Sequence, residues 1–235
     1  MIRSGGAIGR NVTGRKLAMR YTAVVFDLDG TLLYTLEDLF LATNHALEAV
    51  GLPPRTRDEV RRFVGNGYRQ LFRLATPDGT PDELQEHALA IFNTYYLAHD
   101  EDHTEPYPGI PELLAQLKEA GLSLAVVSNK GDAAVQDLME SYFPQTFAAI
   151  AGEREGVRRK PAPDTVLAVM DKLGLAASDI VYVGDSEVDV ATAANVGCAC
   201  IAVTWGYRDV AELLAAGATT LADTTDELAR IILES

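Results

Sequence analysis

From Tyr21 onward the apolar positions alternate between two periods. Short β-branched runs read as buried strands at "TAVVFDLD" (22–29), "LSLAVVSN" (122–129), "IVYVGDS" (180–186) and "CACIAVTW" (198–205), with weaker candidates at "TFAAIAG" and "ATTLAD". Between them "IPELLAQLKEAG", "DAAVQDLMES", "DTVLAVMDKLG", "EVDVATAANVG", "DVAELLAAG" and "DELARIILE" carry helical spacing. Four of these close on Gly121, Gly174, Gly197 and Gly217, where a helix is expected to end in a left-handed residue. Strands separated by single helices predict right-handed βαβ units, hence an α/β fold with a parallel sheet and helices on both faces.

One stretch breaks the alternation. From Thr35 to Pro106 no convincing strand is legible, and "LEDLFLATNHALEAVG" and "DELQEHALAIFNTYYLAH" have helical spacing. Thr35-x-x-Asp38, Thr56-x-x-Glu59 and Thr80-Pro81-Asp82-Glu83 resemble capping-box starts, the last with Pro at the first helical position. The expected division is a tail over 1–20, a core domain over 21–34 and 107–235, and a helical domain over 35–106. That inserted domain would sit over the carboxyl edge of the sheet, where α/β proteins bind ligands.

At 235 residues and 48% hydrophobic, the chain has the makings of one or two globular domains. No apolar run approaches the length of about 20 residues that a membrane helix needs, so a soluble protein without a membrane partner is expected. The net charge of −14 argues against a nucleic-acid partner. That charge is unevenly spread. Arg3, Arg10, Arg15, Lys16 and Arg20 are all basic in a stretch with no acid, leaving 15 basic against 34 acidic residues afterwards. The glycine-rich, basic opening has no periodicity and lacks the apolar stretch of a secretory signal, so it reads as a disordered tail or an over-long start before Met19. Asn11-Val12-Thr13 is a sequon to which nothing else lends weight. Cys198 and Cys200 fall one residue apart on one strand face, poor disulfide partners that read as small core residues of a reducing, cytoplasmic protein.

The telling polar residues fall where strands should end. Asp27 and Asp29 close the first, Ser128 and Asn129 the next, followed by Lys130, and Asp185 a third, with Asp189 on the first turn of the following helix. Lys160 lies in a loop before a helix. In a parallel sheet these ends share one edge, bringing four carboxylates, a hydroxyl and a lysine together. Such an oxygen-rich set suits Mg²⁺ with positions left for water and substrate. Each fragment alone has a plainer reading. Asp-x-Asp-Gly can be a strand-end turn, though not a calcium loop of EF-hand type, which needs its glycine at the sixth position. Gly184-Asp185-Ser186 can be a helix N-cap. Their order and matching contexts favour the functional reading.

Asp27-x-Asp29-Gly30-Thr31-Leu32, Ser128-Asn129, Lys160-Pro161 and Gly184-Asp185-x-x-x-Asp189 resemble the four ordered motifs of the haloacid dehalogenase (HAD) superfamily. The likeness runs from Tyr21 to the C-terminus. It implies a Rossmann-like parallel sheet with helices on both faces plus an inserted helical cap domain of the C1 kind. "FVGNGYRQLF", "YPGIPELL" and "VTWGYRD" look similar to phosphoglycolate-phosphatase-like members. The resemblance implies a Mg²⁺-dependent phosphatase acting on a small phosphorylated metabolite. Asp27 would be the nucleophile that forms an aspartyl-phosphate, and Asp29 the acid that protonates the leaving oxygen and then the base that activates water. Asp27, the Asp29 backbone carbonyl and Asp185 would hold the metal, with Asp189 as ligand or support. Ser128 and Lys160 would bind the phosphoryl oxygens, Thr31 would join them, Asn129 would fix the loop and Gly30 would let the chain turn away. An Asp of ordinary pKa, about 3.9, is a poor acid at neutral pH; crowding raises it and Mg²⁺ opposes the rise.

In the cap, Gly65, Asn66 and Arg69 would face the substrate, although Arg69 reads equally well as a surface arginine. His99 and His103 could in principle hold a metal, but a solvated helix end accounts for them. Lys130 could touch substrate or cap a helix, and Trp205 and Tyr207 read as packing near the site. The alternatives on the same fold are a β-phosphoglucomutase-like phosphomutase, a pyrophosphatase, a phosphonatase and a dehalogenase. Asp29 speaks against the last, and the absence of any Lys from Thr35 to Pro106 against a phosphonatase that uses a cap lysine. From a different class, a receiver-type phosphoaccepting signalling domain shares the acidic cluster, but not the motif order or the insert.

Overall fold

The computed structural model describes residues 20–234; the expected tail and its sequon lie, through residue 19, outside the described residues. In chain order the strands are β1 (Ala23–Phe26), β2 (Leu33–Tyr34), β3 (Glu105–Pro106), β4 (Ser123–Gly131), β5 (Ala149–Glu153), β6 (Ile180–Gly184), β7 (Ala199–Val203) and β8 (Leu221–Ala222). The helices are α1 (Leu36–Ala49), α2 (Arg57–Phe63), α3 (Tyr68–Ala75), α4 (Asp82–His99), α5 (Ile110–Glu119), α6 (Asp132–Tyr142), α7 (Asp164–Leu173), α8 (Glu187–Val196), α9 (Val210–Ala215) and α10 (Thr225–Leu233).

Six strands form one parallel sheet in the order β5-β4-β1-β6-β7-β8. The first strand is central, with Phe26 in register with Val126 on one side and Val183 on the other. Its four residues are all buried, because side chains alternate between two covered faces. Val24 and Phe26 pack with α5, α6 and α10. Ala23 and Val25 pack with α7 and α8. The weak candidates "TFAAIAG" and "ATTLAD" become the edge strands β5 and β8.

Helices α1 to α4 bury an apolar cluster of their own around Leu39, Ala42, Leu47, Phe72, Phe92 and Tyr96. Phe92 and Tyr96, one helical turn apart, stack with ring centroids 5.2 Å apart. Burying each large side chain contributes roughly 1.5–3 kcal/mol, enough for a four-helix group to hold together. Tyr207, from beyond β7, is the sheet-side member of this cluster. No described helix is long and apolar enough to cross a membrane.

Three local expectations resolve differently. Thr56 and Glu59 form their capping box on α2. Thr35 is the N-cap of α1, yet its side chain makes no capping bond, because a distant partner takes it. The third box also fails: α4 is capped by Pro81, and the Thr80 hydroxyl donates to Pro77 O at 2.7 Å. A strand pair missing from the pattern closes the base of the helical block, with Leu33 opposite Pro106 and Tyr34 opposite Glu105. Two residues are too few to show a period.

Candidate active site

Because the sheet is parallel, the carboxyl ends of β1, β4 and β6 open on one edge. The Asp27 amide donates to Val183 O at 2.9 Å, which fixes the carboxylate directly above the central strand. Asp27, Asp185 and Asp189 are all buried, and each offers a carboxylate oxygen within 4.8 Å of the others. Burial first, and then the charge of Asp189, pushes Asp27 well above the usual carboxylate range, against the pull of Lys160. The same two causes raise Asp185 to about 7.

Lys160 balances part of this charge. Its Nζ lies 2.9 Å from Asp27 Oδ1, 2.8 Å from Asp189 Oδ1 and 3.0 Å from the Tyr182 hydroxyl. Burial alone would lower its pKa, but Asp189 and Asp27 hold the ammonium charged. The loop carrying Lys160 is fixed by Asn129, whose side chain donates to Lys160 O and accepts from Lys160 N at 2.9 and 2.8 Å. Asp189 Oδ2 is also occupied, by the Ser186 amide and hydroxyl. With both oxygens engaged, Asp189 is built to orient Lys160 and the loop before α8.

Asp185 sits in a cradle. Its Oδ1 accepts from Thr31 at 3.1 Å and its Oδ2 from the Tyr207 amide at 2.7 Å. A Cβ added to Gly30 or to Gly206 would overlap the carboxylate, so both positions need glycine, and Gly30 also has φ +86°. Thr31, expected among the phosphate-binding groups, thus has its hydroxyl turned to Asp185 instead.

Asp29 stands apart from this cluster, at the cleft between sheet edge and helical block. Its Oδ1 accepts from Thr35 Oγ1 at 2.7 Å and from Lys130 Nζ at 3.0 Å. Lys130 is buried and also donates to the Tyr96 hydroxyl of α4 at 2.5 Å. Burial lowers the Lys130 pKa, and Asp29 more than restores it. The cleft is lined on the sheet side by Asp27, Asp29, Ser128, Asn129 and Lys130, and on the helical side by Leu39, Val64, Gly65, Gly67, Tyr68 and Leu71. Ser128 Oγ accepts from the Lys130 amide at 3.2 Å, leaving its own proton for a ligand.

Of the helical-block candidates, Gly65 lines the cleft and its carbonyl accepts from Asn129 at 2.9 Å. Asn66 neighbours it without lining the cleft. Arg69 points away and pairs with Glu86 on the exposed side of α3. His99 pairs with Asp102 and His103 with Asp38, so neither forms a metal cluster. From sequence Thr35 reads as a helix cap and Tyr207 as packing, with Lys130 undecided; none of the three is tied there to Asp29. Arg208, also passed over, is buried against Glu187 and donates to the carbonyls of Arg61, Arg62 and Val64 at the end of α2. The only available signal was the polar cluster "WGYRD" placed straight after a strand.

The clustered donors are hard oxygens, with no thiol or imidazole among them, and their mutual repulsion is the property a divalent cation relieves. The sequence pattern of the haloacid dehalogenase-like hydrolases matches residues 24–203. The chain is 37% identical to Phosphoglycolate phosphatase 1 of Pseudomonas aeruginosa, over 89% of this chain and 82% of that protein. It is 31% identical to the Phosphoglycolate phosphatase of Vibrio parahaemolyticus, over 90% and 96%. A solved structure from Lactobacillus delbrueckii subsp. bulgaricus, a candidate phosphoglycolate phosphatase, superposes with a TM-score of 0.88 at 37% identity, covering 92% of this chain and all of that one. The ordered motifs, the parallel sheet and these likenesses converge, and the chain belongs to the haloacid dehalogenase-like hydrolases.

Proposed function

We propose that the protein is a Mg²⁺-dependent phosphomonoesterase acting on a small phosphorylated metabolite of the 2-phosphoglycolate kind. The observation that carries this reading is the spacing of two chemically different carboxylates over one strand end. Both line the cleft, but Asp27 is held by Lys160 beside Asp185 and Asp189, whereas Asp29, two residues on, is held by Thr35 and Lys130. The names of the relatives supply the substrate class.

In this reading Asp27, the Asp29 backbone carbonyl and Asp185 would hold Mg²⁺, with Asp189 in support. When bound, the ion offsets the charge of the carboxylates and of the phosphoryl oxygens. The Asp27 carboxylate attacks phosphorus while Lys160 and the Ser128 hydroxyl hold the phosphoryl oxygens. The phosphorus–ester bond breaks, and the leaving oxygen takes its electron pair and a proton from Asp29. Asp29, now a carboxylate, removes a proton from water. That water oxygen attacks the phosphorus of the aspartyl-phosphate, and Asp27 leaves. The helical block acts as a cap over the aspartyl-phosphate, limiting the site to the water that Asp29 activates.

The test is phosphate release from a panel of phosphoesters that includes 2-phosphoglycolate and pyrophosphate, with Mg²⁺ and with EDTA, beside an Asp27→Asn variant. Metal-dependent release that vanishes in the variant is expected, with a small phosphocarboxylate the best substrate. Pyrophosphate as the best substrate would replace the substrate class. No release from a folded sample that binds Mg²⁺ would sink the phosphatase reading.

A further inference from the structure

We propose that Tyr207 is a positioning residue for the acid/base carboxylate of Asp29, acting through Thr35 while its own backbone secures Asp185. The inference rests on the phosphatase reading above and adds a residue to it.

Proton accounting gives the hydrogen bonds a direction. Thr35 Oγ1 lies 2.7 Å from Asp29 Oδ1 and 2.9 Å from the Tyr207 hydroxyl, and the Thr35 amide donates to that hydroxyl at 3.1 Å. Threonine has one hydroxyl proton. The Asp29 carboxylate takes it, so the Tyr207 O–H must donate to Thr35 Oγ1 while its oxygen accepts from the Thr35 amide. The phenol and Thr35 are thus joined by two bonds.

The cost of this arrangement is visible. Thr35 gives up the capping bond that its position at the start of α1 invites. A tyrosine that served only to fill space would not require that. The Tyr207 amide meanwhile donates to Asp185 Oδ2 at 2.7 Å, so one residue holds carboxylates of both classes.

The consequence for Asp29 is asymmetric. Thr35 and Lys130 both bind Oδ1, while Oδ2 takes no hydrogen bond among the described residues. The proton passed to the leaving oxygen, and later taken from water, therefore resides on Oδ2. Loosening the Tyr207–Thr35 link lets the carboxylate rotate and misaims that oxygen.

The experiment compares single-turnover leaving-group release from 2-phosphoglycolate, whose alkoxide must be protonated, and from p-nitrophenyl phosphate, whose phenolate departs without help. Tyr207→Phe keeps the ring and the amide. It is expected to slow the alkyl ester by about tenfold or more at unchanged KM, with the aryl ester altered by less than about twofold. Thr35→Val should reproduce the effect, the double variant should be no worse than Thr35→Val, and Thr35→Ser should restore the rate. If Tyr207→Phe does not fold, the Thr35 pair decides the matter by the same comparison. Equal slowing of both esters, or slowing of neither, would overturn the role of Tyr207. A folded wild-type protein that binds Mg²⁺ yet is inactive on these esters and on the whole panel above would instead overturn the phosphatase reading, and this proposal with it.

Discussion

Gly206 stands against Asp185 so closely that any Cβ on it would run into the aspartate's own Cβ and carboxylate. The loop after β7 and the loop after β6 are therefore fitted to each other at the cluster. Gly206→Ala should cost about 1–3 kcal/mol, the usual penalty for overpacking a tight interior. It should also blunt the Mg²⁺-induced rise in Tm by displacing Asp185. Urea unfolding measures the first and thermal melts with and without Mg²⁺ the second, and a normal Mg²⁺ response would show that Asp185 is not held there for the metal.

Lys160 is the cation nearest Asp27 and Asp189, and all three are buried. Removing one partner of such a group leaves uncompensated charge, at a cost of about 3–5 kcal/mol. Lys160→Met should show that loss near neutral pH without Mg²⁺, and Mg²⁺ should recover part of it. Chemical denaturation at matched pH is the measurement. A variant as stable as wild type would mean that the carboxylates are already neutralised by protons.

In the proposed reading protons and Mg²⁺ would compete for the same oxygens. Asp185 is raised to about 7 and Asp27 lies well above its usual range, burial being the main cause for each. Against an unfolded value of about 3.9, the metal-free fold retains protons that the unfolded chain releases. The contribution of Asp185 to metal-free stability is thus fully present below about pH 4 and lost as pH rises through about 7, and that of Asp27 is lost in the same direction. Mg²⁺ requires the ionised forms, so binding expels protons and the Tm increment should grow from about pH 5.5 to about pH 8. Thermal melts at the two pH values test this; an increment that shrinks with rising pH would contradict it.

Thr56 offers a contrast with Thr35, since it is exposed and caps α2 in the ordinary way. Thr56→Ala should lower stability by about 1 kcal/mol through the lost cap and leave kcat unchanged. Thermal denaturation with a steady-state assay separates the two effects.

The fold and the charged cluster were legible because both are written locally. A parallel sheet forces strand ends to one edge, so Asp27, Asp185 and Lys160 could be brought together without knowing a single contact. Thr35 and Tyr207 were not legible for the opposite reason. Their bond joins residues 172 positions apart, and from local sequence Thr35 could only look like a helix start. Arg69 looked available to a substrate, yet Glu86 on the next helix takes it. Lys130 looked undecided because its partners, Asp29 and Tyr96, come from two different parts of the chain.

The short pairing of Leu33–Tyr34 with Glu105–Pro106 has a consequence for how such a chain can change over generations. The points where the chain leaves the sheet and returns to it are antiparallel neighbours, separated by about 5 Å as paired strands are. A hairpin turn would bridge that gap without shifting the register of any strand in the six-stranded sheet. The four-helix segment could therefore be exchanged as a cassette. In the proposed reading, lengthening, reshaping or exchanging it would retune which molecule is admitted, while Asp27, Lys160 and Asp185 stay where they are.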